Sequence, residues 1–370
     1  MVDERYWIAL NRTAGVGPAK FRALLDHFGD LEQAWRAEAD EWKQAGLDRR
    51  AIQSWLAARA SLDLDAELER VHAARARVLT WNHPEYPPLL RSIYDAPPVL
   101  YLKGELTQID RQWAVAIVGT RRSTAYGRQV AEMLAGDLAR NGVTIVSGLA
   151  RGIDAAAHAA ALRAGGRTLG VLACGIDQVY PPEHDRLAQQ IVERGALLCE
   201  TPVGAAPEAG NFPARNRIIS GLALGVIVIE AGERSGALIT ADRALEQGRD
   251  VFAVPGNILS RSSAGTNRLL QEGATLVRAV DDVLEALNLH MVSRQAEAQA
   301  VLLEDPTEAA MLKLLTHDPQ HVDEIVRQVN MPVAQVSSVL AIMELKGAIR
   351  QVGGMQYVLA REARATYVVD

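Results

Sequence analysis

Five arginines stand where an α/β chain exposes its ligand-binding loops. Arg121 and Arg122 follow the apolar run WAVAIVG (113–119), and Arg151 follows VTIVSG (143–148). Arg215 and Arg217 open the helix-like stretch NFPARNRIISG (211–221), and their place there is unusual. Pro213 suits the first position of a helix, so Arg215, Asn216 and Arg217 are expected in its first turn, where free backbone N–H groups favour negative charge. Arg215 also lies three and four residues before Ile218 and Ile219, on the apolar face. Small residues accompany the arginines: Gly119, Thr120 and Ser123 in GTRRST, Ser147 and Gly148 in SGLARGID, Ser235 and Gly236 in AGERSGALIT. Such loops leave backbone N–H groups free to approach phosphate oxygens. The set predicts an anion site with several charged forks, more than one small phosphate needs.

The elements that must hold these loops are legible as a repeated unit of apolar strand, Gly- or Ser-rich loop and helix over residues 78–290. Runs such as WAVAIVG, VTIVSG, RTLGVLACG, ALLCE, GVIVIEAG and DVFAVPG are apolar throughout, as strands covered on both faces require. Alternation with helices predicts a doubly wound, mostly parallel α/β sheet, whose ligands bind at the carboxyl ends of its strands. A Pro-rich segment ahead of it (RVLTWNHPEYPPLLRSIYDAPPVLYLKG) is expected to extend the sheet. Residues 1–75 read as an all-α domain of short helices. Its AGVGPAKFRALLDHFG resembles a helix-hairpin-helix, with Gly15 and Gly17 in the turn and Pro18 opening the second helix. Residues 291–306 are polar and Ala/Gln-rich, as a linker would be. Residues 307–362 give three helices and a Gly-Gly hairpin, a winged-helix pattern.

Composition limits the chemistry. Nearly half the residues are apolar and the formal net charge is −6, so binding of a polyanion must come from a local cluster. Cys174 and Cys199 lie in apolar runs and form no CxxC pair, poor material for a disulfide scaffold or a zinc site. The N-terminus lacks the pattern of a signal peptide, and no apolar run reaches the length of a membrane span, which predicts a cytoplasmic protein. Neither G-x-G-x-x-G nor a P-loop is present, so no nucleotide cofactor is expected. An enzymatic alternative rests on Glu200 and Glu230 at strand ends, near Asp154, His158 and Asp177. Two carboxylates beside arginines could cleave the N-glycosidic bond of a nucleotide, as in phosphoribohydrolase-like enzymes of the same core fold. The plainer account is that they hold the arginines in place, and that His158 is packed. The Pro-Gly-Gly-x-Gly-Thr signature of those enzymes is replaced here by AGERSGALIT.

Six motifs in order, AIVGTRRSTAYG, SGLARGIDAAAH, GIDQVYPPEH, NFPARNRIISGL, VIEAGERSGALITADRALEQGRDVFAVPGN and GTNRLLQEGA, closely resemble the DNA-processing protein A (DprA/Smf) family. The resemblance implies a Rossmann-like core between a SAM/helix-hairpin-helix-like domain and a winged helix. It implies a protein that binds single-stranded DNA during natural transformation, protects it and loads the RecA recombinase on it. A homodimer through the Rossmann-like domain is implied, with no catalysis and no metal. Carried over by motif, Arg121 matches the family's phosphate-binding arginine. Arg215, Asn216 and Arg217 surround the same pocket, lined by Ser147, Gly148, Ser235 and Gly236. Arg186 is the nearest match to a basic residue that follows YPxxN in the family. Two departures are His184 in place of that Asn, and Ser220 in RNRIISG. Few aromatics, Tyr126, Tyr180 and Phe212, lie near the site, so phosphate contacts are expected to dominate. The winged helix carries more acids than bases, and its PVAQVSSVLAIMELKG has no basic residue before Lys346. It is expected to contact protein or to regulate, rather than to bind duplex DNA.

Overall fold

In the computed structural model, nine short strands form one sheet. They are β1 (Arg77–Thr80), β2 (Val99–Gly104), β3 (Ala114–Val118), β4 (Thr144–Ser147), β5 (Thr168–Val171), β6 (Ala196–Cys199), β7 (Gly225–Val228), β8 (Asp250–Ala253) and β9 (Thr275–Leu276), in the order β1-β2-β6-β5-β4-β3-β7-β8-β9. The structure describes residues 3–289 and, beyond them, 307, 311, 315, 320–329, 331–345, 349–352 and 354–359. Strands β3 to β9 are parallel to their neighbours, and the Pro-rich extension adds β1 and β2 in antiparallel fashion at the β6 edge. Every residue of β3 to β7 is buried, which is why these runs lack any polar alternation.

The two faces of β6 show how the sheet is covered. Leu197 and Cys199 join a core with Ala188 and Ile191 of the helix Asp185–Arg194, whereas Ala196 and Leu198 join one with Ile218 and Ile219 of the helix Asn211–Gly221. The chain runs outward from β3 through β4 and β5 to β6, then returns to β7 on the other side of β3. That reversal opens a crevice at the carboxyl ends of β3 and β7, where doubly wound sheets bind ligands.

The N-terminal helices are built around aromatics. Trp42 and Trp55 stack at 4.5 Å between ring centres, and Trp7 meets Phe21 and Trp81. This domain is joined to the sheet: Asn11 Nδ2 donates to the Glu200 carbonyl, and Arg12 donates to that of Val203. Residues Met1–Leu289 form one compact unit. In the hairpin, Gly15 has φ +81° and Pro18 opens the helix Pro18–Phe28, as the turn chemistry requires. Lys20, one of the cations of this hairpin, donates to the Gly15 carbonyl and pairs with Asp48.

The second unit is a winged helix. Helices Val322–Val329 and Val333–Leu345 accompany a three-stranded antiparallel sheet of Gln320–His321, Gln356–Leu359 and Ile349–Gln351. Its core includes Met311, Ile325, Leu340 and Met343. The expected linker 291–306 and Lys346 lie outside the described residues.

One buried group beneath the sheet gives stability a pH dependence. His158 is fully buried, with Nδ1 2.6 Å from Thr168 Oγ1. That hydroxyl gives its single proton to the Ile145 carbonyl, so the imidazole Nδ1–H is the donor to it. Burial, with His184 and Arg215 nearby, draws the His158 pKa from 6.5 down to about 3. The unfolded chain takes up a proton at this residue below pH 6.5 and the folded chain does not until about 3. The contribution is therefore complete above pH 6.5 and drains away as pH falls. Between pH 8 and pH 5.5, urea unfolding should show the parent chain losing about 1.4 kcal/mol more stability than His158→Gln loses. Parallel losses in the two proteins would rule the account out.

Candidate nucleic-acid interface

A cavity of about 700 Å³ occupies the crevice at the β3 and β7 ends. Its rim is the loop after β3. Thr120 N–H donates to the Glu230 carbonyl beyond β7, and Arg122 N–H donates to Thr120 Oγ1. On the other side of this loop, Gly152 (φ +80°) presses so closely on the Thr120 carbonyl that a Cβ would overlap it. The loop therefore projects Arg121 and Arg122 into solvent from a tightly held backbone, and both side chains are exposed.

The helix Asn211–Gly221 begins two residues earlier than the sequence suggests, so Pro213 is its third residue and Arg215 lies in the second turn. Arg215 is consequently not at the exposed N–H groups. It turns inward, only 6% exposed, and its Nη1 donates to the Gly148 carbonyl at 2.6 Å and to the Val171 carbonyl at 2.5 Å. One guanidinium thus joins the carboxyl ends of β4 and β5. Gly148 is the residue that permits this, since a Cβ there would overlap the guanidinium. The buried Asp154 carboxylate accepts N–H bonds from Gly148 (3.2 Å) and Ala150 (3.3 Å). Between them Leu149 adopts φ +57°, and its carbonyl meets His184 Nδ1 at 2.8 Å. Burial lowers the Arg215 pKa to about 10, opposed by the Asp154 charge, so the side chain is still a cation at neutral pH. Burial likewise raises Asp154, with Arg215 opposing.

Arg217 is also buried, and it is matched by carboxylates. Its Nη2 lies 2.7 and 2.8 Å from the two Glu200 oxygens, and its Nε lies 3.2 Å from Asp95. Arg151 pairs with Glu183 at 2.5 Å. Arg121 and Arg122 have no ion pair among the described residues. Arg121 instead lies over the Phe212 ring, its Cζ 5.0 Å from the centroid, and Phe212 meets Tyr180 at 5.7 Å.

Of the residues singled out in the sequence, the crevice brings together Gly119, Thr120, Arg121, Arg122, Arg215, Asn216, Ser235 and Gly236. It does not include Arg151, Arg217 or Gly148. Ser147 is buried and donates to the Ile117 carbonyl, so its hydroxyl ties β4 to β3. Ser123 and Arg186 border a separate depression with Arg128 and Glu132. Tyr126 bonds the Pro255 carbonyl away from the crevice, whereas Tyr180 and Phe212 both line it. Sequence reasoning did not anticipate the hold of His184 on Leu149 or the part of Pro207 and Ala209 in the wall. The Gly- and Pro-containing spacing of PVGAAPEAG marks that loop but not its destination.

The carboxylates considered for glycosidic cleavage are otherwise engaged. Glu200 holds Arg217, and Glu230 accepts from Thr124 N–H and Oγ1 at 2.9 and 2.6 Å, which fixes the start of the helix Ala125–Arg140. Among the described residues, no group of three His, Cys, Asp or Glu side chains is arranged to hold a metal, and no helix is long and apolar enough to cross a membrane.

Comparison with known proteins agrees with this architecture domain by domain. The family described as DNA recombination-mediator protein A matches residues 77–288, with a DprA-like N-terminal HHH domain over 2–66 and a DprA winged helix domain over 294–355. Protein Smf of Synechocystis is 36% identical, covering 96% of this chain and 98% of its own length. The DNA processing protein DprA of Bacillus subtilis is 48% identical over 55% of this chain and 68% of its own. The X-ray structure of DprA from Streptococcus pneumoniae superposes with a TM-score of 0.67 at 38% identity, over 77% of this chain and 98% of that one. A Helicobacter pylori DprA structure, described as showing a single-stranded DNA binding mode, gives a TM-score of 0.52 at 32% identity, over 58% of this chain and 95% of that one. On a Rossmann-like core flanked by these two domains, and on identity sustained along nearly the whole sequence, the chain belongs to the DNA-processing protein A (DprA/Smf) family.

Proposed function

We propose that this chain binds single-stranded DNA in the strand-end crevice and acts on it as a carrier, not as an enzyme. One observation carries the reading: at the mouth of the crevice Arg121 and Arg122 are exposed cations with no carboxylate partner among the described residues, while Arg151 is paired with Glu183, and Arg217 with Glu200 and Asp95. Exposed arginines on a rigid loop receive phosphates, and a strand supplies several in a row. The loop N–H groups, Ser235, Gly236 and Asn216 complete the wall, and Arg215 places a buried positive charge behind it. The crevice lies between loops, and in this reading it admits a single strand but not a duplex. Membership of a recombination-mediator family, and the single-strand binding attributed to the Helicobacter relative, support the same ligand.

That membership supports a wider role as well. In this reading the chain protects a strand taken up during natural transformation, hands it to the RecA recombinase, and works as a homodimer through the Rossmann-like domain in the cytoplasm. The winged helix serves protein contact or regulation.

The arginines give the reading its test, because exposed and buried ones must behave differently. Replacing Arg121 and Arg122 together by Ala should leave urea unfolding unchanged. It should weaken binding of a fluorescent oligo-dT and lower the slope of log affinity against log salt by about 0.7 for each phosphate that is no longer held. A double mutant with wild-type affinity, or a parent that binds duplex as tightly as single strand, would refute the crevice. Arg215→Met should act on the fold instead, costing about 3–5 kcal/mol, because Asp154 and two carbonyls lose a buried partner. Deleting residues 306–370 should leave single-strand affinity within about ten-fold, or about 1.4 kcal/mol, of the full chain.

A further inference from the structure

One wall of the crevice is supported from outside the α/β domain. The loop between β6 and the helix Asn211–Gly221 carries Pro207 and Ala209 into the cavity, and most of residues 204–210 are exposed. Its first half is tied down through the backbone. The Glu200 carbonyl accepts from Asn11 Nδ2 at 2.8 Å, and the Val203 carbonyl accepts from Arg12 Nη1 at 3.0 Å. Gly204 N–H donates to Asp177 Oδ1 at 2.9 Å, and the Ala205 carbonyl accepts from Gly175 N–H at 2.9 Å. The last two ties come from the loop after β5. The first two come from the N-terminal helices, which supply none of the described residues that line the cavity.

The end of the helix Glu4–Asn11 is a fixed point. Tyr6 to Leu10 are all buried, so the helix is enclosed around its circumference and its last residue has a set place. Arg12, which follows it, is anchored from behind. Its Nη1 lies 3.0 Å from a carboxylate oxygen of Glu67, which is only 5% exposed. One nitrogen thus joins a buried carboxylate of the N-terminal domain to a carbonyl of the wall loop. The hold reaches the site by two routes. Glu200, whose carbonyl Asn11 holds, directs its side chain to Arg217 in the helix that supplies Phe212, Arg215 and Asn216 to the crevice. Val203, whose carbonyl Arg12 holds, shortly precedes Pro207 in the wall. We infer that Asn11 and Arg12 are positioning residues of the strand site: they touch no ligand, and through them the N-terminal helices hold the crevice wall where a strand meets it. The effect on affinity rests on the single-strand reading, whereas the hold on the loop does not.

The test removes the hold without stranding a charge. In the full-length Arg12→Met/Glu67→Gln protein the loop loses its cation and the buried carboxylate is neutralised with it. In Arg12→Lys a single Nζ with its three donors serves both partners. Without DNA, amide hydrogen exchange at Gly204 and Ala205 should quicken in the double variant and keep the parent rate in Arg12→Lys. In salt-titrated binding of fluorescent oligo-dT, the double variant should be weaker by at least about five-fold, the low end of coupling between separate sites. Its salt slope should equal that of the parent, because no phosphate contact is lost. Arg12→Lys should bind like the parent. Trp42→Phe, which loosens the same domain at a ring stacked on Trp55, should leave both readouts unchanged whatever stability it loses in urea. Parental exchange or parental affinity in the double variant would overturn the inference. So would a lowered salt slope, which would make Arg12 a phosphate contact, or an equal loss in Trp42→Phe, which would make the effect general instability. If the parent binds no strand in a salt-dependent way, the single-strand reading fails by itself, and the exchange rates alone decide whether the helices hold the wall.

Discussion

The crevice depends on one buried guanidinium. Two parallel strands that end side by side leave carbonyls at their carboxyl edges, and in this fold the chain then turns away into loops. Arg215 gathers the carbonyls of Gly148 and Val171 with a single nitrogen, and the carboxylate of Asp154 gathers the N–H groups of Gly148 and Ala150. Burying an arginine without such partners would cost several kcal/mol. With them, a loop containing a left-handed leucine becomes a fixed wall. Placing a cation on the apolar face of a helix looks like an error in the sequence, and it is the requirement of this arrangement.

Burial then decides which arginines are left unpaired. Arg217 is fully engaged by Glu200 and Asp95, and removing both carboxylates would leave a buried charge uncompensated. Arg151 is exposed but paired, so solvent and a neighbouring carboxylate already satisfy it. Arg121 and Arg122 differ because the β3 loop is held through its backbone, by Thr120 on one side and Gly152 on the other. Nothing in that support consumes the side chains. A motif that reads as a uniform row of cations is therefore divided into one structural group and one group available to an anion.

The sheet was legible because its code is local: runs apolar throughout, separated by Gly- and Ser-rich loops, leave few alternatives to a buried parallel strand. The inward face of Arg215 was also legible, from its spacing to Ile218 and Ile219. Its partners were not, because they are backbone carbonyls 67 and 44 residues away, and a carbonyl has no sequence signature. The start of the helix was misplaced for a related reason. Pro213 suits a first helical position, but Gly210 and Asn211 begin the turn without any side-chain cap to mark it. Asp95 lies in the Pro-rich segment, where nothing local ties it to Arg217. Arg186 stood next in sequence to a site motif and projects into a different depression.

The overall charge of −6 gives the last constraint its meaning. An acidic surface repels a polyanion over most approaches, and salt reduces that repulsion only beyond about 8–10 Å. A strand gains by binding only where exposed cations outnumber nearby acids. In the proposed reading Arg121 and Arg122 provide that place at the rim, and Arg215 adds a buried charge from below, where water screens it least. The Asp154 carboxylate, whose charge acts on Arg215, accepts backbone N–H bonds, so part of its charge is already satisfied before a ligand arrives. The proposed anion site would thus owe its selectivity to the rest of the surface being unfavourable, and a more basic protein with the same crevice would lose that distinction.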